Sequence, residues 1–307
     1  MMRLSCEGRV VADYVVKPEL ALTLSPRPYL HPVRTLAGVR VTDAVPEDHP
    51  WHLGVSFALQ HVQTADGRTA NFWGGRTYLR DQGYQWLDDH GRVEHVRWLN
   101  RDPSAFEQEL AWRVPGNPVL LREFRTMAVS PLPGLDGRDS GALGARRGTG
   151  GRGTAWILRM GFSLENVTQE RITLGSPGTH GRPGAGYGGF FWRAAASQEK
   201  VRVVTPEAEG EDDVHGRAAE WLIFGAEEPG TGRPWSLLLA GEDAATRADP
   251  WFVRTRDYPG VGSALAFDRP IVLNPGERVS RSLLVAVVDG KLGSEEASAV
   301  LATARGK

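Results

Sequence analysis

His49 and His52 stand in the run Asp48-His49-Pro50-Trp51-His52-Leu53-Gly54. Imidazole is the side chain whose ordinary pKa lets it take or give a proton near neutral pH, and it is also a common metal ligand. Pro50 between the two histidines bars a mid-helix placement, so they belong to an extended or turning segment. On such a segment their rings can converge or splay. Four of the eight histidines fall between His31 and His61. Around them lie Arg27-Pro28-Tyr29-Leu30-His31-Pro32 and Asn71-Phe72-Trp73-Gly74-Gly75. Three chemistries fit this neighbourhood. One is a metal site built on His49, His52 and Asp48 or a third His. Another is a metal-free site in which a His is general acid or base. The plainest is a set of imidazoles hydrogen-bonded inside a proline-rich loop. The spacing fixes no third and fourth metal ligand, so the preferred reading gives His49 and His52 proton transfer, with no cofactor and a divalent metal as the alternative. Arg27, His31, Asp48, Asn71 and Trp73 are then substrate-binding candidates.

A second polar cluster runs from Gly175 to Arg193 and holds His180, Arg182, Tyr187 and Arg193. Its many glycines do not lead from a strand into a helix, so it is no phosphate loop. Such glycines let backbone pass close to a ligand or another strand. The bland alternative is a bend that turns the sheet, but polar side chains on a tight bend need partners. The third cluster is Asp249-Pro250-Trp251-Phe252-Val253-Arg254. Trp251 and Phe252 point to opposite faces of a strand, and Arg254 shares a face with Phe252. Trp251 and Arg254 are the binding candidates here. Aromatic faces beside Arg, Asp, Asn and His hydrogen-bonders suit a carbohydrate, although most of the ten tryptophans are expected to pack in the core. The three clusters are expected to meet in one cleft. The acid pairs Asp88-Asp89 and Asp212-Asp213 sit in turn-like stretches and read as solvated, not as a glycosidase dyad.

The elements that must position these residues are strands. Runs rich in β-branched and aromatic residues recur between Gly, Pro and Asp turns. The candidates are 9–16, 54–62, 93–99, 106–114, 119–129, 155–165, 171–175, 189–194, 220–224, 236–240 and 278–288. Alternation is clearest at Trp156, Leu158, Met160, Phe162 and Leu164, which share one face. The one good helix is Ser294–Arg305, with Ser294 as a cap and Glu295 and Glu296 in its first turn. Residues 131–153 carry almost nothing apolar and read as a mobile surface insertion between paired strands. The expectation is a single all-β domain over 1–307, an antiparallel β-sandwich with one short C-terminal helix.

The chain has 307 residues with 36 basic and 37 acidic side chains and a net charge of -1. That balance gives no reason to expect nucleic acid or an anionic membrane as partner. No apolar run approaches the ~20 residues of a membrane helix. Cys6 is the lone cysteine, which favours a reducing compartment. Leu4-Ser5-Cys6 lacks the apolar stretch that precedes a lipoprotein cleavage site. A cytoplasmic location is expected, and the oligomeric state is open. No nucleophile elbow, dinucleotide fingerprint or CxxC is present.

In the order RPYLHP, DHPxHxG, NFWGG, SPxxxGRxGAGYGGxFWR and PWFVR, the motifs together resemble a bacterial PmoA-like family of unknown function, often labelled methane oxygenase. Members often carry a second His where this chain has Trp51, which weakens a metal site here. The resemblance implies a galactose-mutarotase-like supersandwich that binds a sugar on a concave sheet. The expected function is therefore a carbohydrate-active enzyme of epimerase, mutarotase, lyase or hydrolase type. The alternatives are a non-catalytic sugar-binding protein and a metal-dependent oxygenase.

Overall fold

The computed structural model describes residues 1–116, 118–132, 155–196 and 201–306. Alternation builds the centre of the molecule. In the strand Ala155–Asn166, Trp156, Leu158, Met160, Phe162 and Leu164 all enter one buried apolar cluster, as a side-chain period of two requires. This strand lies within an eight-stranded sheet of spatial order 202–204, 222–227, 234–241, 278–289, 155–166, 119–131, 105–113 and 92–101. A seven-stranded sheet faces it, in the order 2–6, 9–15, 29–33, 55–58, 189–193, 260–264 and 251–254. Neighbouring strands in both sheets run antiparallel. The two inner faces interlock through Phe57, stacked on Phe162 at 3.9 Å, and Phe190, edge-on to Phe162 at 5.3 Å. The expected all-β sandwich is the fold.

Each expected strand forms, with one division. The run 54–62 separates into Val55–Ala58, in the seven-stranded sheet, and His61–Thr64, in a four-stranded sheet with 69–70, 172–175 and 271–273. The break has a cause: the Leu59 carbonyl accepts from the Phe72 N–H, which draws the chain towards the Asn71–Gly75 loop. Residues 77–79 and 83–85 form a separate hairpin. The helix Ser294–Ala304 lays Ala297, Val300, Leu301 and Ala304 on the outer face of the eight-stranded sheet. Its N-cap is Gly293 and not the expected Ser294; the Glu296 carboxylate accepts the Gly293 N–H at 2.8 Å. From residue 133 onward, the expected 131–153 insertion lies outside the described residues. Among the described residues no helix is long and apolar enough to cross a membrane.

The outer face of the seven-stranded sheet is where the polar clusters gather. In Gly189–Arg193, Phe190 and Trp192 point into the sandwich core, so Phe191 and Arg193 point out. In Trp251–Arg254, Trp251 and Val253 point in, so Phe252 and Arg254 point out.

Candidate functional site

A cleft of about 490 Å³ opens on this outer face, within the ordinary size range of small-molecule sites. All three sequence clusters line it. His49, His52 and Trp73 come from the N-terminal third, Arg182 and Tyr187 from the glycine-rich segment, and Arg254 from the third.

The histidines form the best-defined part. The rings of His49 and His52 are stacked, with centroids 4.7 Å apart and planes 9° apart. Tyr258 packs against both, at 4.6 and 4.7 Å. The Asp48 carboxylate lies 2.9 Å from His49 Nδ1 and accepts two bonds from Arg193 Nη2, at 2.9 and 3.0 Å. Arg193 Nη1 donates to His52 Nδ1 at 3.2 Å. Burial works against ionising Asp48, but the bonds and charges of His49 and Arg193 outweigh it and hold the carboxyl below its ordinary pKa. His52 is fully buried, and burial first, then its neighbours His49, Arg193 and Arg27, push its pKa well below the ordinary value. It is neutral at pH 7.

These partners fix the tautomers. A carboxylate can only accept, so Asp48 calls for the proton on His49 Nδ1, and in the neutral ring the lone pair is then on Nε2. A guanidinium can only donate, so Arg193 calls for the lone pair on His52 Nδ1 and leaves the proton on Nε2. Two adjacent imidazoles are thus set as one proton acceptor and one hydrogen-bond donor.

Trp73 and Tyr187 form the floor, 4.7 Å apart, and Trp73 meets His52 edge-on at 5.7 Å. Burial raises the Tyr187 hydroxyl well above its ordinary pKa, so it stays protonated. It accepts from Gln60 Nε2 at 2.8 Å and lies 3.1 Å from the Tyr84 hydroxyl. Arg182 Nη1 donates to Tyr84 at 2.6 Å. Arg254 packs on the Phe252 ring at 4.6 Å and donates to the Gly184 carbonyl at 2.9 Å.

Seven expected binding residues are not in the lining. Asp48 and Arg193 stand behind the histidines they bond, and the other five lie elsewhere. Arg27 is buried below it, with its donors on Ser56 Oγ and on the carbonyls of Ser25, Trp73 and Trp51. Asn71 is buried too: its Oδ1 accepts the N–H groups of Trp73 and Gly74, and its Nδ2 donates to Thr77 and Gly75. Both hold the loops that carry Trp51 and Trp73. His31 bonds Thr42 at 3.0 Å, away from the cleft. His180 stacks on His61 at 3.8 Å. Trp251 is a core residue, and its strand neighbour Phe252 takes the cleft position. Asp89 is not solvated as expected; it is buried and accepts from Thr77 at 2.7 Å, whereas Asp212 and Asp213 are exposed.

The cleft also holds residues that the motifs did not single out, among them Gln60, Arg76, Tyr84, Trp86, Asp257 and Tyr258. Trp51 was within a motif, and its place follows from Gly74 and Gly75: a Cβ on either would lie 2.6 or 2.8 Å from Trp51 atoms. The ring rests directly on that backbone. Tyr258 had a weaker signal, lying four residues beyond Arg254 beside Pro259.

For a metal, the donors fit poorly. Among the described residues no three His, Cys, Asp or Glu side chains converge, and Asp48 is engaged by Arg193 and His49.

A family model matches residues 1–302. The chain belongs to DUF6807, a family of unknown function. This corrects the PmoA-like resemblance: the match is to DUF6807, and no PmoA-like family is matched. No curated protein matches the DUF6807 chain significantly. Among solved structures, it is similar to a candidate aldose 1-epimerase of Escherichia coli K12, at 11% identity and a TM-score of 0.44, over 94% of this chain and 98% of that one. It is also similar to the GH36 α-galactosidase AgaB of Geobacillus stearothermophilus, at 12% identity and a TM-score of 0.35, over 82% of this chain and 32% of that one. The α-galactosidase of Lactobacillus brevis matches at 8% identity and a TM-score of 0.37, over 82% of this chain and 31% of that one. The DUF6807 chain therefore spans about a third of those galactosidases. No side-chain role is carried across from these likenesses.

Proposed function

We propose that this DUF6807 protein acts on a sugar or an oxidised sugar by metal-free chemistry, with His49 as general base and the neutral His52 as hydrogen-bond donor. The observation that carries this is the opposed tautomers of two stacked imidazoles at the wall of an aromatic cleft. Epimerase, mutarotase, lyase and hydrolase reactions all need a proton taken and developing charge on an oxygen stabilised, so a base beside a hydrogen-bond donor serves the class as a whole. In a mutarotation, for instance, His49 Nε2 would take the anomeric hydroxyl proton. The neutral His52 would donate an Nε2–H hydrogen bond to the ring oxygen as the bond from C1 to it breaks, and solvent water would supply that oxygen's proton. Trp51, Trp73 and Trp86 line the same cleft and offer flat apolar faces to the C–H faces of a sugar ring. Arg76 and Arg182 offer donors to its oxygens.

A thermal-shift screen of the metal-stripped protein against sugars, sugar acids and keto-sugars tests this. A ligand at ~100 times its Kd should stabilise the fold by about 2.7 kcal/mol. Hits are then incubated with the protein and analysed for product. Product formation that both His49→Ala and His52→Ala abolish supports the reading. Binding with no turnover would turn it into a sugar-binding protein, and a shift with divalent metals alone would overturn it.

A further inference from the structure

Two guanidinium groups at one end of the cleft have no carboxylate to neutralise them. Arg182 lies over the Tyr84 ring at 5.0 Å and donates to its hydroxyl. Arg76 lies near the Trp86 ring, 5.8 Å from its centroid. Both are exposed cleft residues, and among the described residues neither has an acidic oxygen within 4.0 Å. The third lining cation, Arg254, differs: Glu211 is 3.6 Å away and Asp257 is 4.0 Å away. Each guanidinium has five N–H donors in a planar fork. Arg182 directs one of them to a neutral hydroxyl, and the Arg76 side chain makes no hydrogen bond among the described residues. Their aromatic neighbours Tyr84 and Trp86 leave the forks charged, because a ring face does not neutralise a cation.

The position of this pair relative to the histidines matters. His52 touches Trp73, Trp73 touches Tyr187, and the Tyr187 hydroxyl meets Tyr84, which Arg182 holds. The aromatic floor of Trp73 and Tyr187 therefore lies between the imidazoles and Tyr84, on which Arg182 rests. A ligand lying on that floor would place one end at the imidazoles and the other at Arg76 and Arg182.

We propose that the substrate is an acidic sugar whose oxyanion, a carboxylate or a phosphate, is bound by Arg76 and Arg182. This rests on the carbohydrate reading above and narrows it. The pairing would be charge-assisted and bidentate in form, which adds direction as well as strength.

Calorimetric titration with D-glucuronate, D-galacturonate, glucose 6-phosphate, glucose and galactose tests it, on the wild type and on the Arg76→Gln/Arg182→Gln double variant. Both side chains are exposed, and a melting curve checks that the variant folds. At least one acidic sugar should bind about tenfold or more tighter than its neutral parent, and this preference should shrink as salt is added. The double variant should bind acid and parent alike. Whether the uronates or the phosphate ester gain most identifies the oxyanion. Equal binding of acid and neutral parent by the wild type overturns the proposal and leaves the carbohydrate reading standing. A preference that survives in the double variant also overturns it. No binding of any of these sugars overturns both.

Discussion

The His49 and His52 rings are parallel with centroids 4.7 Å apart, yet their hydrogen bonds run in opposite senses. His49 gives its Nδ1 proton to Asp48, and His52 receives a proton from Arg193 at the same ring position. One cation and one carboxylate, themselves paired, therefore prepare two chemically identical side chains for different tasks. Environment, not residue type, separates donor from base.

This arrangement can be read directly by long-range 1H–15N correlation at pH 7. The proton should reside on Nδ1 of His49 and on Nε2 of His52. Asp48→Ala should release His49 from its single tautomer and lower turnover of an identified substrate, while His49→Ala and His52→Ala should each lower it by about 10²–10⁴-fold. A proton on His52 Nδ1 would contradict the assignment, because Arg193 could not then donate there.

Acid stability supplies a second check, through a histidine outside the cleft. His61 is buried against His180, and among the described residues neither His61 ring nitrogen has a hydrogen-bond partner. Burial, and then the neighbouring His180, lower its pKa from 6.5 to about 3. Below about pH 6.5 the unfolded chain binds a proton that the folded chain refuses, so stability falls as pH drops towards the folded pKa. One such group costs about 1.4 kcal/mol per pH unit across that window. His52 acts in the same sense. His61→Leu should therefore flatten the acid limb by about one proton and cost little at neutral pH, since no hydrogen bond is lost. Parallel limbs for wild type and variant in urea titrations at several pH values would refute it.

How much of this was legible in the sequence follows from where side chains declare themselves. Trp156 to Leu164 announce their strand because alternate positions face one core. Gly260–Ala264 gives no such signal: a Cβ on Gly262 would lie 2.1 Å from the Phe190 carbonyl, so the strand must forgo the bulky residues that mark strands. His49, His52, Trp73, Arg182, Tyr187 and Arg254, all within the motifs, line the cleft. They misplaced Arg27 and Asn71, because polar residues that support a binding loop from beneath look, in one dimension, like those that touch a ligand. Trp251 and Phe252 were assigned the wrong way round, since adjacency shows that faces alternate but not which face is inside. Arg76 reaches the cleft through loop geometry that no local pattern encodes, and Tyr258 had only its nearness to Arg254 to mark it.

The sandwich core contains an ion pair that should behave differently in single and double replacement. Glu123 and Arg125 are both buried, joined through Nε at 2.6 Å and Nη2 at 3.0 Å. Trp112 Nε1 also donates to Glu123, and Arg125 Nη1 reaches the Tyr14 hydroxyl and the Pro28 carbonyl. Glu123→Ala strands a buried cation and should cost about 3–5 kcal/mol in denaturant unfolding. A Glu123→Leu/Arg125→Met double variant removes both charges and should recover much of that loss. Equal losses in the single and double variants would show that packing, and not charge pairing, sets the cost.

Arg27 links stability to the site. It is fully buried, and burial lowers its pKa to about 9, so it remains charged at neutral pH. Its fork ties together the carbonyls of Ser25, Trp51 and Trp73, drawing the two tryptophan-bearing loops to one point below the cleft. Arg27→Met fills similar space but leaves these buried carbonyls unpaired, at about 1–3 kcal/mol each. The variant should melt well below wild type, and below its own melting point it should show red-shifted tryptophan emission as Trp51 and Trp73 gain water. Arg27→Lys should recover only part of the loss, because a single ammonium cannot reproduce the planar spread of donors. If Arg27→Met instead melts with wild type and binds the same ligands, the loops are held by the Asn71 turn alone, whose side chain already fixes the N–H groups of Trp73 and Gly74.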